Sequence, residues 1–140
     1  MTALASLPPQ AVLPLGRRRV ETLRRAAQTA GHRWLHADCA GAADKAGTMA
    51  ALAAGLALPD WFGANLDALY DCLTDLEPLP DAPAPGLVLV VEHLPASPGL
   101  PDDEREALLD VFRDAADRFA ERGVAFRTFW SLSGPARARS

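Results

Sequence analysis

The sequence predicts an α/β fold, a small three-stranded parallel sheet packed with helices, with a further helix ahead of it. Three observations predict this. Leu87 to Val91 is an unbroken Leu/Val run bounded by Gly86 and polar residues, the pattern of a strand buried on both faces in a parallel sheet. Residues 32–37, with Trp34 and Leu35, and 124–132, with Phe126, Phe129 and Trp130, have strand composition. Helical periodicities lie between these three stretches, and parallel strands require crossovers of that kind.

Residues 1–16 contain Pro8, Pro9, Pro14 and Gly16 and show no periodicity, so a poorly ordered leader is expected. Arg17 to Ala30 reads as a helix with Val20, Leu23, Ala27 and Ala30 near one stripe and Gly31 as its C′ residue. Its arginines read as a solvated basic face. After the first strand, Asp38-Cys39-Ala40-Gly41 turns the chain. Asp44 can cap a helix through Met49, Leu52, Ala53 and Leu56, which Gly47 and Gly55 weaken. Glu77 to Gly86 is a proline-rich loop. His93 falls just past the central strand, and His32 and His36 are expected at surface positions. Asp102 or Asp103 can cap a helix carrying Leu108, Leu109, Phe112, Ala116 and Phe119, which Gly123 stops. The chain divides into 1–31, a leader and extra helix; 32–132, the α/β domain; and 133–140, a flexible tail.

The most informative stretch is Leu58 to Leu76, LPDWFGANLDALYDCLTDL. Leu58-Pro59-Asp60 is a turn-prone lead-in. Asn65 stands at an N-cap with Asp67 in the first turn, where the helix dipole favours an anion. Leu66, Leu69, Leu73 and Leu76 form an apolar stripe. Asp67, Asp71 and Asp75 recur at i, i+4 and i+8 with no Lys or Arg among them. Like charges so spaced cost a few tenths of a kcal/mol per pair. Such a stripe is either a solvated acidic face or a surface awaiting a cationic partner.

The charge distribution bears on this choice. The net charge is −4, so nucleic acid is not the expected partner. Residues 46–104 carry ten acidic side chains and no Lys or Arg, whereas 1–45 carry seven basic and three acidic. The acidic block is too apolar for a disordered tail and reads as a folded surface of one sign. Cys39 and Cys72 are too few for a disulfide framework and have no zinc-site spacing. There is no long apolar run and no basic segment of signal-peptide type at the start. The expectation is a cytoplasmic protein, monomeric when free, with no cofactor, metal or membrane partner.

The run LPDWFGANLDALYDCLT closely resembles the signature segment of the barstar family, intracellular inhibitors of barnase-like ribonucleases. The shared pattern is Leu-Pro, an acidic residue, two aromatics, Gly, then Asn-Leu-Asp-Ala-Leu, an aromatic, and Asp-Cys-Leu-Thr. The resemblance extends more weakly over 32–132, with Leu87-Val88-Leu89 similar to the family's central strand and Val111 to Ala115 to its last helix. It implies a barstar-like three-stranded sheet and no enzymatic activity. It implies that Asp71 is the central carboxylate entering a nuclease site, with Asp67 the second carboxylate of that helix. Trp61 and Tyr70 match aromatic contacts, Thr74 a hydroxyl at the same surface, and Asp114 an acidic contact from the last helix. Asn65, first of all a cap, completes the candidate partner-binding set. Leu76 departs from the pattern where the family has a tryptophan contact, Ala64 where it has glutamate, and Trp61 is bulkier than the family's tyrosine.

Plainer readings stand beside these. Trp61 and Phe62 could be core anchors, Tyr70 a surface aromatic, and Thr74, Asp75 and Asp114 merely solvated. Two other functions remain open. One is a barstar-like acidic module that binds a basic-surfaced protein other than a nuclease. The other is an enzyme using Asp67 and Asp71 as a carboxylate pair, against which the chain offers no nucleophile elbow, phosphate-binding glycine loop or metal cluster.

Overall fold

The computed structural model describes residue 4 and residues 6–59 and 62–133. In chain order the elements are β1 (Gln10–Pro14), α1 (Val20–Ala30), β2 (Arg33–Asp38), α2 (Lys45–Gly55), α3 (Leu66–Thr74), β3 (Gly86–Leu94), α4 (Asp102–Glu121) and β4 (Ala125–Leu132). The expected tail lies outside the described residues from Gly134 onward. No described helix is long and apolar enough to cross a membrane.

The sheet has four strands, not three. All are parallel, in the order β1-β4-β3-β2. The additional strand comes from the stretch expected to be an unordered leader. Its prolines suppressed the strand signal, yet they sit where a parallel edge tolerates them. Pro9 precedes the strand and accepts from Phe126 N–H at 2.8 Å, and Pro14 closes it. Gln10 donates from its side chain to the Val124 carbonyl at 2.8 Å.

Helix α1 covers one face of the sheet. Leu23, Ala26 and Ala27 pack there against Val88, Val90 and Phe129. Helices α2, α3 and α4 cover the other, with Met49, Leu52, Leu69, Leu73, Leu109, Phe112 and Phe119 over Leu35, Leu87, Leu89, Val91 and Phe126. Residues Leu87 to Val91 are therefore buried on both sides, as their unbroken apolar run predicts. The N-terminal helix thus has a structural role: without it the alternate residues of β3 would face water.

The helix ends follow from local chemistry. Asp44 caps α2 by accepting from Gly47 N–H at 2.8 Å. Gly31 and Gly123, both at φ +73°, end α1 and α4. In each, the following N–H reaches back in a Schellman arrangement, His32 to the Ala27 carbonyl at 2.8 Å and Val124 to the Phe119 carbonyl at 3.0 Å. The expected cap of α4 is displaced: Pro101 occupies the N-cap, and Asp102 and Asp103 lie in the first turn. Gly55 is needed where α2 meets β2. A Cβ there would stand 2.6 Å from both the Ala37 side chain and the His36 carbonyl oxygen. Overpacking against backbone costs about 1–3 kcal/mol. Gly55→Ala should therefore lower the urea midpoint with the slope unchanged.

His32 is buried rather than at the surface. Its ring lies over Gly86, and burial, followed by the charge of Arg127, holds its pKa below the ordinary value. Cys39 and Cys72 are free and buried, as expected of small apolar fillers. Burial pushes the Cys39 thiol up to about 11.

Candidate partner-binding site

Helix α3 begins with Asn65, whose side-chain oxygen accepts from Ala68 N–H at 2.8 Å. The preceding Ala64 adopts φ +56°, a left-handed conformation that disfavours residues with a Cβ. Leu69, Cys72 and Leu73 are buried, which fixes the rotation of the helix and leaves Asp67 and Asp71 on the outside. Asp67 and Asp71 do not stand alone there. With Leu66 and Tyr70 they line an open groove whose other wall is α4, through Val111 and Asp114. Four of the residues singled out from sequence, Asp67, Tyr70, Asp71 and Asp114, are thus brought together from two helices.

The third carboxylate of the stripe is separated from them. The helix stops at Thr74, and Asp75 is its C-cap. Asp75 lines a different groove, with Arg33, Cys72 and Glu77. Thr74 does not present its hydroxyl either. It is 9% exposed, and its Oγ1 donates to the Tyr70 and Asp71 carbonyls at 3.0 and 3.1 Å, a back-bond within the helix. Asn65 is exposed, but its oxygen is used by the cap. Leu76 is buried in the core. The departure from the family's tryptophan there is a packing residue in this chain. Phe62 packs partly buried against the same core. Trp61 lies outside the described residues.

Among the described residues the groove carboxylates are not compensated by ion pairs: Asp67, Asp71 and Asp114 make none within 4 Å. The cations of α4 are engaged by acids of α4 itself: Arg105 with Asp102 at 3.0 Å, Arg113 with Asp110 at 2.7 Å and Glu106 at 3.3 Å, Arg118 with Glu121 at 2.7 Å. The bond to Asp110 is the main reason the Arg113 pKa is raised. These pairs hold the basic side chains away from the three groove carboxylates.

Sequence reasoning missed what holds the two walls together. Arg122, the C-cap of α4, donates from Nη1 to the Thr74 carbonyl at 2.6 Å and lies 5.2 Å above the Phe119 ring. It satisfies an orphan carbonyl at the end of α3 and ties that helix to α4. A helix-terminal arginine is too common for its spacing to reveal this. Leu66 and Val111, the apolar lining, look in sequence like ordinary core positions.

A family model described as Barstar (barnase inhibitor) matches residues 32–131. The chain belongs to the barstar family. The match covers the sheet from β2 onward and both walls of the groove. It leaves out β1 and α1, so this member of the barstar family carries its fourth strand and the cover of its second sheet face outside the matched region.

Proposed function

We propose that the protein is an intracellular inhibitor that occludes the cationic active site of a barnase-like ribonuclease with the acidic groove between α3 and α4. Family membership makes ribonuclease inhibition the leading reading. The single observation that carries it to these residues is the convergence of Asp67, Asp71 and Asp114 on one open groove, with no cation paired to them among the described residues. A ribonuclease must hold an RNA phosphate with Arg, Lys or protonated His. Carboxylates without internal partners can replace that phosphate, and their field steers the encounter. Tyr70 supplies the aromatic surface typical of interface anchors, and Trp61 is proposed as a second aromatic contact. Asn65 and Thr74 serve the groove indirectly, by starting and ending α3 at the right places.

This is binding, not chemistry. Asp67 and Asp71 are exposed, so they lack the burial that separates the roles of a catalytic carboxylate pair. The alternative reading, an acidic module for a basic protein that is not a nuclease, uses the same groove. Inhibition assays separate the two. Ribonuclease activity should fall with added protein, and an oligonucleotide occupying the nuclease site should relieve the binding competitively. The association rate should also drop steeply as ionic strength rises, because the Debye length is only about 10 Å at 0.1 M. Tight binding with full nuclease activity would favour the alternative.

A further inference from the structure

The C-terminal ends of β2 and β3 bring together a second group of side chains, none of which lines the groove between α3 and α4. We infer that Asp38, Glu92 and His93 form a binding site for a divalent transition-metal ion of the zinc type, with His36 as the outer partner of Glu92. This is independent of the ribonuclease reading.

The register pairs Asp38 directly with Glu92 on adjacent parallel strands. Both carboxylates therefore leave the same face, side by side, which is unfavourable for two like charges with nothing between them. His93 joins them through a backbone irregularity. In a regular strand it would point to the opposite face from Glu92. Here the register with β4 shifts between Val91 and Leu94, and His93 adopts φ +62°. The faces on either side record the extra residue. Val88 and Val90 pack under α1, and strict alternation would place Leu94 with them, but Leu94 lies in the core beneath α2–α4. The bulge is fastened by the His93 N–H, which donates to Ser131 Oγ at 3.0 Å. Its result is that His93 Nδ1 lies 2.8 Å from Asp38 Oδ1. One ligand atom from each of Asp38, Glu92 and His93 lies within 4.8 Å of the others.

The donor set has a chemical preference. Two carboxylates neutralise a divalent cation, and the imidazole selects a transition ion over magnesium or calcium, which take oxygen. Zinc bonds of about 2.0–2.2 Å to nitrogen and oxygen need only small side-chain adjustments from these separations. Three protein ligands leave a fourth position open to solvent, since Asp38 is exposed and Glu92 and His93 are partly so. His36 Nε2 is 2.7 Å from Glu92 Oε1, the outer-shell contact that orients a ligating carboxylate. Sequence reading expected no metal because Asp38 is distant along the chain from the adjacent Glu92 and His93, and a bulge is what brings His93 to the same face.

The test is zinc titration of the full-length chain without a histidine tag, by calorimetry, with cobalt substitution read by its visible absorption. One equivalent should bind, and magnesium should not compete. His93→Ala and Asp38→Asn should each weaken zinc at least tenfold, His36→Ala by less, and Asp71→Ala not at all. These side chains are at the surface, and circular dichroism of each variant checks that its fold is intact. Failure to bind zinc with a Kd below about 1 mM, or wild-type affinity in both His93→Ala and Asp38→Asn, would overturn the site.

Discussion

Replacing Asp71 by alanine should weaken binding to the ribonuclease by at least about 2 kcal/mol, roughly thirtyfold, the usual threshold for an interface hot spot. Asp71 lies in the groove between α3 and α4 with Asp67 one turn away and Asp114 across from it. Removing it deprives the partner's cations of a counter-charge after they have been desolvated, which is costlier than losing an exposed pair. Folding should respond in the opposite direction. Asp71 is exposed and forms no ion pair among the described residues, and its loss relieves repulsion from Asp67. Thermal unfolding of the free variant should show stability unchanged within about 1 kcal/mol or slightly raised. Asp75→Ala should have a much smaller effect on binding, because Asp75 faces the groove that holds Arg33. A larger loss with Asp75→Ala than with Asp71→Ala would mean that the partner approaches the other end of α3.

Deleting residues 1–14 should cost at least about 3 kcal/mol of stability, although the sequence there resembles a dispensable leader. Three losses combine. The β1 ladder against β4 disappears, and with it the bond from the Phe126 N–H to the Pro9 carbonyl at 2.8 Å. Each such bond contributes about 0.5–1.5 kcal/mol net. Buried Leu4 and Ala11 leave the structure. Most costly is Arg127, only 7% exposed, which donates from Nε to the Pro8 carbonyl at 2.9 Å and from Nη2 to the Leu7 carbonyl at 3.3 Å. Burial already lowers its pKa. Without those carbonyls a buried guanidinium loses its acceptors. The deletion should lower the thermal midpoint by roughly 10 °C or more and promote association through the newly bare edge of β4. A truncated chain with the midpoint of the full protein would show that β1 adds nothing to the fold.

What was legible in the sequence divides along physical lines. The central strand, the caps Asp44 and Asn65 and the stop glycines Gly31 and Gly123 are local signals, and each is found where the residues placed it. Strand β1 was hidden because an edge strand of five residues with proline around it has little periodicity, and its pairing with β4 is made across more than a hundred residues. The candidate site was legible on α3, where helical spacing alone aligns Asp67 and Asp71. The same spacing overextended the stripe to Asp75, since nothing local announces that α3 stops at Thr74. That Thr74 turns its hydroxyl back onto the helix, and that Asp38, Glu92 and His93 meet, are consequences of tertiary packing and of one bulge.

The most direct test of the central claim is a double-mutant cycle between Asp71 and an arginine at the phosphate-binding centre of the ribonuclease. If Asp71 occupies the place of an RNA phosphate, the two single substitutions and the double one should be non-additive by about 1–3 kcal/mol, the range for residues in direct contact. Additivity within about 0.5 kcal/mol, at arginines tested throughout that centre, would contradict it.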